Sequence, residues 1–283
     1  MTSIVRLLIV LFLVIAAPAF AWPERVLITN DDGIDNPRLA ALARAFAEVA
    51  EVVVVAPADN CSGSTNYVSA FQRSAVVATP YDMGDGIEAW SIDGFPGDCI
   101  LVAVTGLMAD DLPDLVVSGV NTGPNLAEAY LASGTIGTAR LAAQSGLPAI
   151  AFSNLKADDS SMMEAVPAWC VRLARTDAVR GMAAGEYLTV NFPDGPADAV
   201  KGVRWATLGD VVFHDAFELS EEDDAGRRTW SHRWWLDDGD DQPSDGDVAL
   251  QRAGWITVTP MRLGDLDTPR LKAGGDLPGW SAP

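Results

Sequence analysis

Apolar positions open the chain's interpretable part as a short run, Val26 to Thr29, which reads as a strand. After a polar stretch, Leu39, Leu42, Phe46 and Val49 recur at helical spacing, predicting a helix from Pro37 to about Val49. Asn36 suits its N-cap and Pro37 its first position. The next run, EVVVVAP at Glu51 to Pro57, is continuous and β-branched instead of alternating, the pattern of a parallel strand buried on both faces. Strand, helix and strand in that order predict a βαβ unit with a right-handed crossover.

The same alternation continues. PDLVVSG at Pro113 to Gly119, PAIAFS at Pro148 to Ser153 and YLTVNFP at Tyr187 to Pro193 read as strands, and GWITVTP at Gly254 to Pro260 is strand-like. SGTIGTARLAAQSG at Ser133 to Gly146 and the segment from Met162 to Ala174 read as helices. The fold class is therefore α/β, with a doubly wound, mostly parallel sheet. Between Asp210 and Asp247 thirteen acidic residues meet three arginines, interrupted by TWSHRWWL at Thr229 to Leu236. That stretch predicts extended strands and loops whose tryptophans pack either on a partner subunit or on the sheet. The closing LKAGGDLPGWSAP, rich in Gly and Pro, predicts little order.

At 283 residues and 49% hydrophobic composition, the chain suits one large domain with a smaller appended element. Lys and Arg number 19 against 39 Asp and Glu, a formal charge of −20. That field repels polymeric nucleic acid and anionic membranes, and a small anionic substrate needs a cation at its site. Residues 1–21 differ from the rest: Arg6, the run LLIVLFLVIAA and AFA at Ala19 to Ala21 have the form of a signal peptide cleaved after Ala21. The run is short for a bilayer and is interrupted by Pro18, so no stable membrane span is expected after cleavage, and the mature protein is expected in the periplasm or outside the cell. Cys61, Cys99 and Cys170 allow one internal disulfide at most; Cys99 and Cys170 read as buried small hydrophobes, Cys61 as a loop residue. With only two histidines and no Cys/His cluster, any metal site here is an oxygen site.

Asp31 and Asp32 follow the first strand directly, where an open α/β sheet binds ligands. Asn-Asp-Asp-Gly is also good turn material, and both readings stand at the level of sequence. Neighbouring carboxylates at a partly buried strand end raise each other's pKa unless a cation or donors compensate. The loop after the second strand brings Asn60, Ser62, Ser64, Thr65 and Asn66 to the same edge. After the Pro113 strand, Gly119 and Gly123 are expected to allow close backbone approach around Asn121 and Asn125. Ser133, Gly134 and Thr135 open a helix, where amides favour a phosphate and a hydroxyl favours capping. The set suits a hard cation and a phosphate ester. No GxxxxGK[ST] or GxSxG occurs, and GDGIEA at Gly84 to Ala89 lacks the flanking elements of a dinucleotide fingerprint.

In order along the chain, VLITNDDGIDNP, VVVVAPADNCSGSTN, FPGDC, PDLVVSGVNTGPN, SGTIGTA, PAIAFS, LTVNFPDG and SDGDVALQRAGWITVTP resemble the SurE survival-protein family of metal-dependent phosphatases. The resemblance spans most of the mature chain. It implies a Rossmann-like domain over residues 22–283 with C-terminal extended β arms at about 205–250 that exchange between subunits, making a homodimer or homotetramer. It implies hydrolysis of nucleoside monophosphates (5'/3'-nucleotidase activity) with one divalent cation, Mg2+ or Mn2+, held by Asp31, Asp32, Ser62 and Asn121. Asp31 and Asp32 are then the catalytic pair, and Asn125, Ser133, Gly134 and Thr135 approach the phosphate. The loop ADNCSG has no basic residue where the family usually carries them, which bears on substrate range. The family is typically cytoplasmic, the location implied if the leader is not used.

Two other functions fit parts of the pattern. A haloacid-dehalogenase-type phosphatase also places acid after the first strand, but spaces it Asp-x-Asp, whereas Asn30 stands two before Asp32. An exported small-anion binding protein without turnover fits the leader and the α/β pattern, but requires two lobes that the chain does not duplicate.

Overall fold

Residues 22–156, 160–210, 212–237, 239 and 241–264 are described by the structure, a computed structural model. The leader expected at 1–21 and the Gly/Pro-rich end lie outside the described residues.

The first βαβ unit is β1 (Arg25–Thr29), α1 (Pro37–Ala47) and β2 (Glu51–Pro57). Asn36 caps α1 by accepting the Arg38 amide at 2.9 Å, and Pro37 leads the first turn. The helix stops at Ala47, two residues short of the periodic pattern, because Val49 and Ala50 turn back on Phe46 through backbone bonds of 2.9 Å. The chain continues through β3 (Ala78–Pro80), β4 (Glu88–Ile92), α2 (Pro96–Val102), β5 (Leu115–Asn121) and α3 (Gly134–Gln144). Next come β6 (Ala149–Ser153), α4 (Ser160–Ala174), α5 (Asp177–Arg180), β7 (Glu186–Asn191) and β8 (Val203–Trp205). The last elements are β9 (Val212–Glu222), β10 (Arg228–Asp237), α6 (Asp247–Arg252) and β11 (Ile256–Arg262). The sequence pattern does not signal β3, β4, α2 or β8. GDGIEA runs into β4, an ordinary strand of the sheet.

Nine strands form one sheet in the order β3-β4-β2-β1-β5-β6-β7-β11-β8, parallel from β4 to β7. β3 and β11 run antiparallel to β4 and β7. From β1 the chain moves outward to β2 and β4, then returns by α2 to β5 on the other side of β1. The C-terminal ends of β1 and β5 thus flank the point where the winding reverses, the place where open α/β sheets bind ligands.

Alternate residues of β1 serve opposite faces. Val26 and Ile28 pack with Leu39, Leu42 and Phe46 of α1 and with Val166 and Cys170 of α4. Leu27 packs with Ile100 of α2 and Ile136 and Ala139 of α3. Each fully buried aliphatic or aromatic side chain contributes about 1.5–3 kcal/mol, so the two layers clamp β1, and with it the residues that follow. Cys99 and Cys170 are buried and all three cysteines are free thiols.

β9 and β10 form a separate antiparallel hairpin that leaves and rejoins the domain at one place. There Thr207 pairs with Gly246, and Asp247 accepts the Gly209 amide at 2.8 Å. Among the described residues no helix is long and apolar enough to cross a membrane.

Candidate active site at the sheet switch point

The turn after β1 divides its tasks. Asn30 donates its side-chain amide to the Gly33 carbonyl at 2.9 Å, and Gly33 takes a left-handed φ of 102°. Turn chemistry is therefore done by Asn30 and Gly33, which leaves both aspartate side chains for other partners.

Asp31 is buried. Its Oδ1 accepts the Thr135 hydroxyl at 2.6 Å and its carbonyl accepts the Cys61 amide at 2.7 Å. A Cβ on Gly134 would lie 2.6 Å from Asp31 Oδ2, so only glycine lets the first turn of α3 reach this carboxylate. Burial pushes the Asp31 carboxyl up to about 6; the Thr135 hydroxyl opposes this and the neighbouring Asp32 charge adds to it.

Asp32 has different partners. Its Oδ2 lies 3.5 Å from Arg38 Nη2 and 3.5 Å from the Thr122 hydroxyl, and Arg38 Nη2 also donates to that hydroxyl. Asp32 and Arg38 side chains are 7% and 9% exposed, so solvent screens their attraction little.

Ser62 and Asn121 are each one residue from a group bonded to this pair. Cys61 is tied to Asp31, and Thr65 on the same loop donates its amide to the Ala132 carbonyl at 3.2 Å, so the Ser62 loop is seated between β1 and the approach to α3. The Ser62 amide donates to Asn60 Oδ1 at 2.9 Å. Asn121 ends β5 beside Thr122, and the pairing of β5 with β6 shifts register between Ser118 and Asn121. The Asn121 amide group donates to the Gly123 carbonyl at 2.9 Å, which leaves its side-chain oxygen as the acceptor atom.

Of the two glycines expected to permit close approach, Gly119 does so: a Cβ there would lie 2.4 Å from the Phe152 carbonyl oxygen. Gly123 does not, since open space surrounds its Cβ position.

Asn125 bridges to the neighbouring strand ends. Its side-chain amide donates to Ser153 Oγ at 2.8 Å, its backbone amide to Asn191 Oδ1 at 2.8 Å, and its carbonyl accepts Asn191 Nδ2 at 3.1 Å. Ser133 caps α3 by accepting the Ile136 amide at 3.1 Å. The capping reading of Ser133 is thus realised, and Thr135 is engaged by Asp31. Further along the rim, Asn154, Lys156 and Asp194 line an open polar cavity of about 370 Å3.

Arg38, Thr122, Ser153 and Asn191 join the site without having been singled out in the sequence. Polar residues closing the buried strands β6 and β7 were a readable signal for Ser153 and Asn191. For Arg38 the signal was a cation in the first turn of a helix that follows an acidic pair.

The sequence profile described as Survival protein SurE matches residues 26–215. The chain belongs to the SurE family. It is 34% identical over 249 residues to the 5'-nucleotidase SurE of Chloroflexus aggregans, covering 87% of this chain and 95% of that one. It is 36% identical over 242 residues to the 5'/3'-nucleotidase SurE of Cronobacter sakazakii, covering 84% and 90%. A crystal structure of the SurE protein from Aquifex aeolicus superimposes with a TM-score of 0.72 at 27% identity, over 88% of this chain and 98% of that one.

Proposed function

We propose that this protein hydrolyses phosphate monoesters of nucleosides, releasing nucleoside and phosphate, with one divalent cation, Mg2+ or Mn2+. The observation that carries the reading is the pair of buried, adjacent carboxylates at the switch point, one pushed up to about 6 and the other facing a guanidinium. The names of its relatives as nucleotidases support the substrate class.

The donor set fits a hard cation: two carboxylates, a hydroxyl and a carboxamide oxygen, all oxygen. Asp31, Asp32, Ser62 and Asn121 would hold it. When bound, such an ion polarises a phosphoryl oxygen and lowers the pKa of a coordinated water. Thr135 fixes the Asp31 rotamer by donating to Oδ1, so this carboxylate is preset before ligand arrives. Thr122 and Arg38 do the same for Asp32. The Asn125 amide group has two N–H donors, one of which goes to Ser153, and the second is available to a phosphoryl oxygen. A donor of this kind is worth about 2.7–4 kcal/mol where charge develops. Gly134 contributes the bare backbone of the α3 N-terminus, whose dipole favours anions. The cavity lined by Asn154, Lys156 and Asp194 falls in the size class of small-ligand sites and is proposed to take the nucleoside portion. The β9/β10 arm is proposed to join subunits into a homodimer or homotetramer, and residues 1–21 to direct export and be cleaved after Ala21.

The test is phosphate release from nucleoside monophosphates and p-nitrophenyl phosphate by chelated protein, with Mg2+ or Mn2+ restored. Turnover should require the metal and vanish in Asp32→Asn. Chelator-resistant turnover in that variant would refute the site.

A further inference from the structure

Arg38 is costly where it stands. It occupies the first turn of α1, where the helix dipole disfavours a cation. It is buried, and its Nε–H has no hydrogen-bond partner among the described residues. Three features at one residue run against local preference, which is where a functional constraint is expected.

Its surroundings say what the constraint is. Nη2 lies 3.5 Å from Asp32 Oδ2 and donates to Thr122 Oγ1, while Asp31 is held separately by Thr135. Two ionised aspartates and one guanidinium leave the site one net negative charge. A divalent cation converts this to one net positive charge. Without Arg38 the loaded site would be neutral, facing a doubly charged phosphoryl group across a protein of formal charge −20.

We infer that Arg38 is a positioning residue of the phosphatase site, holding Asp32 through Nη2 and giving the metal-loaded site the net positive charge that draws in a phosphoryl dianion. This rests on the metal-dependent reading above. A guanidinium suits the role because it stays charged at every working pH and presents several donors in a fixed plane. The same positive charge repels the cation and competes with it for Asp32. Arg38 therefore raises phosphate affinity at the expense of metal affinity, and the two effects have opposite signs.

The experiment is isothermal titration of chelated full-length protein with Mn2+, then of the Mn2+-loaded protein with inorganic phosphate, for wild type, Arg38→Gln and Arg38→Lys. Arg38→Gln removes the charge, keeps an amide donor on a side chain two atoms shorter, and leaves Thr122 beside Asp32. It should bind Mn2+ as tightly as wild type or several-fold more tightly, while its phosphate dissociation constant rises at least tenfold; Arg38→Lys should recover part of the phosphate affinity. A purely structural Arg38 would lose Mn2+ affinity in both variants, and that result, or unchanged phosphate affinity in Arg38→Gln, would overturn the inference. Should Arg38→Gln fail to fold, Arg38→Lys decides: weakened Mn2+ binding there also overturns it, and Mn2+ affinity kept with phosphate affinity lowered supports it. Absence of Mn2+ binding by the wild type is a separate result, which would overturn the metal reading and this inference together.

Discussion

Asp31 keeps its proton to a higher pH than an ordinary aspartate does. Its carboxyl is pushed from 3.8 to about 6, first by burial, with the Thr135 hydroxyl opposing and Asp32 adding to the rise. Below pH 3.8 both folded and unfolded chains hold this proton, so it makes no difference to stability. Between 3.8 and 6 the unfolded chain releases it first, and the ionised group becomes a penalty on the metal-free fold, complete above about 6. A shift of this size corresponds to a penalty on the order of 3 kcal/mol. Urea unfolding of metal-free protein at pH 4 and pH 7 should show Asp31→Asn gaining stability relative to wild type as pH rises; a pH-independent difference would contradict it. Because a ligating carboxylate must be deprotonated, Mn2+ affinity of the wild type should tighten as pH rises through 6.

At the scale of elements, α3 is the piece whose placement decides the site. Its first turn supplies Thr135 to Asp31 and its glycine backbone lies against the same carboxylate. Gly134→Ala sets two terms against each other. Alanine gains up to about 1 kcal/mol in helix propensity. Overpacking at 2.6 Å from Asp31 Oδ2 and 2.8 Å from its Cβ costs about 1–3 kcal/mol. The clash should win, giving a net loss of about 1–2 kcal/mol by denaturant unfolding, together with weaker Mn2+ binding by titration. Unaltered stability and metal affinity would mean that α3 does not bear on the acidic pair.

Across the whole molecule, the hairpin stands apart from the economy of the sheet. Phe217 and Leu219 alternate onto one face of β9, and the register puts Trp230 opposite Leu219 and His232 opposite Phe217. Phe217 is 65% and Trp230 51% exposed, a large apolar patch for an arm tied to the domain at its base. Its cross-strand ion pairs, Arg233 with Glu218 and Arg228 with Glu222, are solvent-exposed and contribute little. If the arm joins subunits, the double variant Phe217→Ser, Trp230→Ser should sediment as a smaller species than wild type while the urea-unfolding free energy of the sheet domain stays within about 0.5 kcal/mol of the wild-type value. Identical sedimentation would place the subunit contact elsewhere.

The sequence alone determined the α/β alternation, the parallel character of β1, β2, β5, β6 and β7, the cap at Asn36 and the rim that carries the acidic pair. These depend on local spacing, β-branching and turn chemistry, which neighbouring residues express without help. Short or weakly patterned pieces such as β3, β4, α2 and β8 were illegible because their place comes from the strands they join, and a three-residue strand has no period to read. Only the tertiary structure decided that Asp31 faces Thr135 and Asp32 faces Arg38, since residues 104 and 6 positions away meet through the order in which strands pair. A side chain's charge is written in the sequence, but its burial and its partner are properties of the packed sheet, and these set both the raised Asp31 pKa and the part assigned to Arg38.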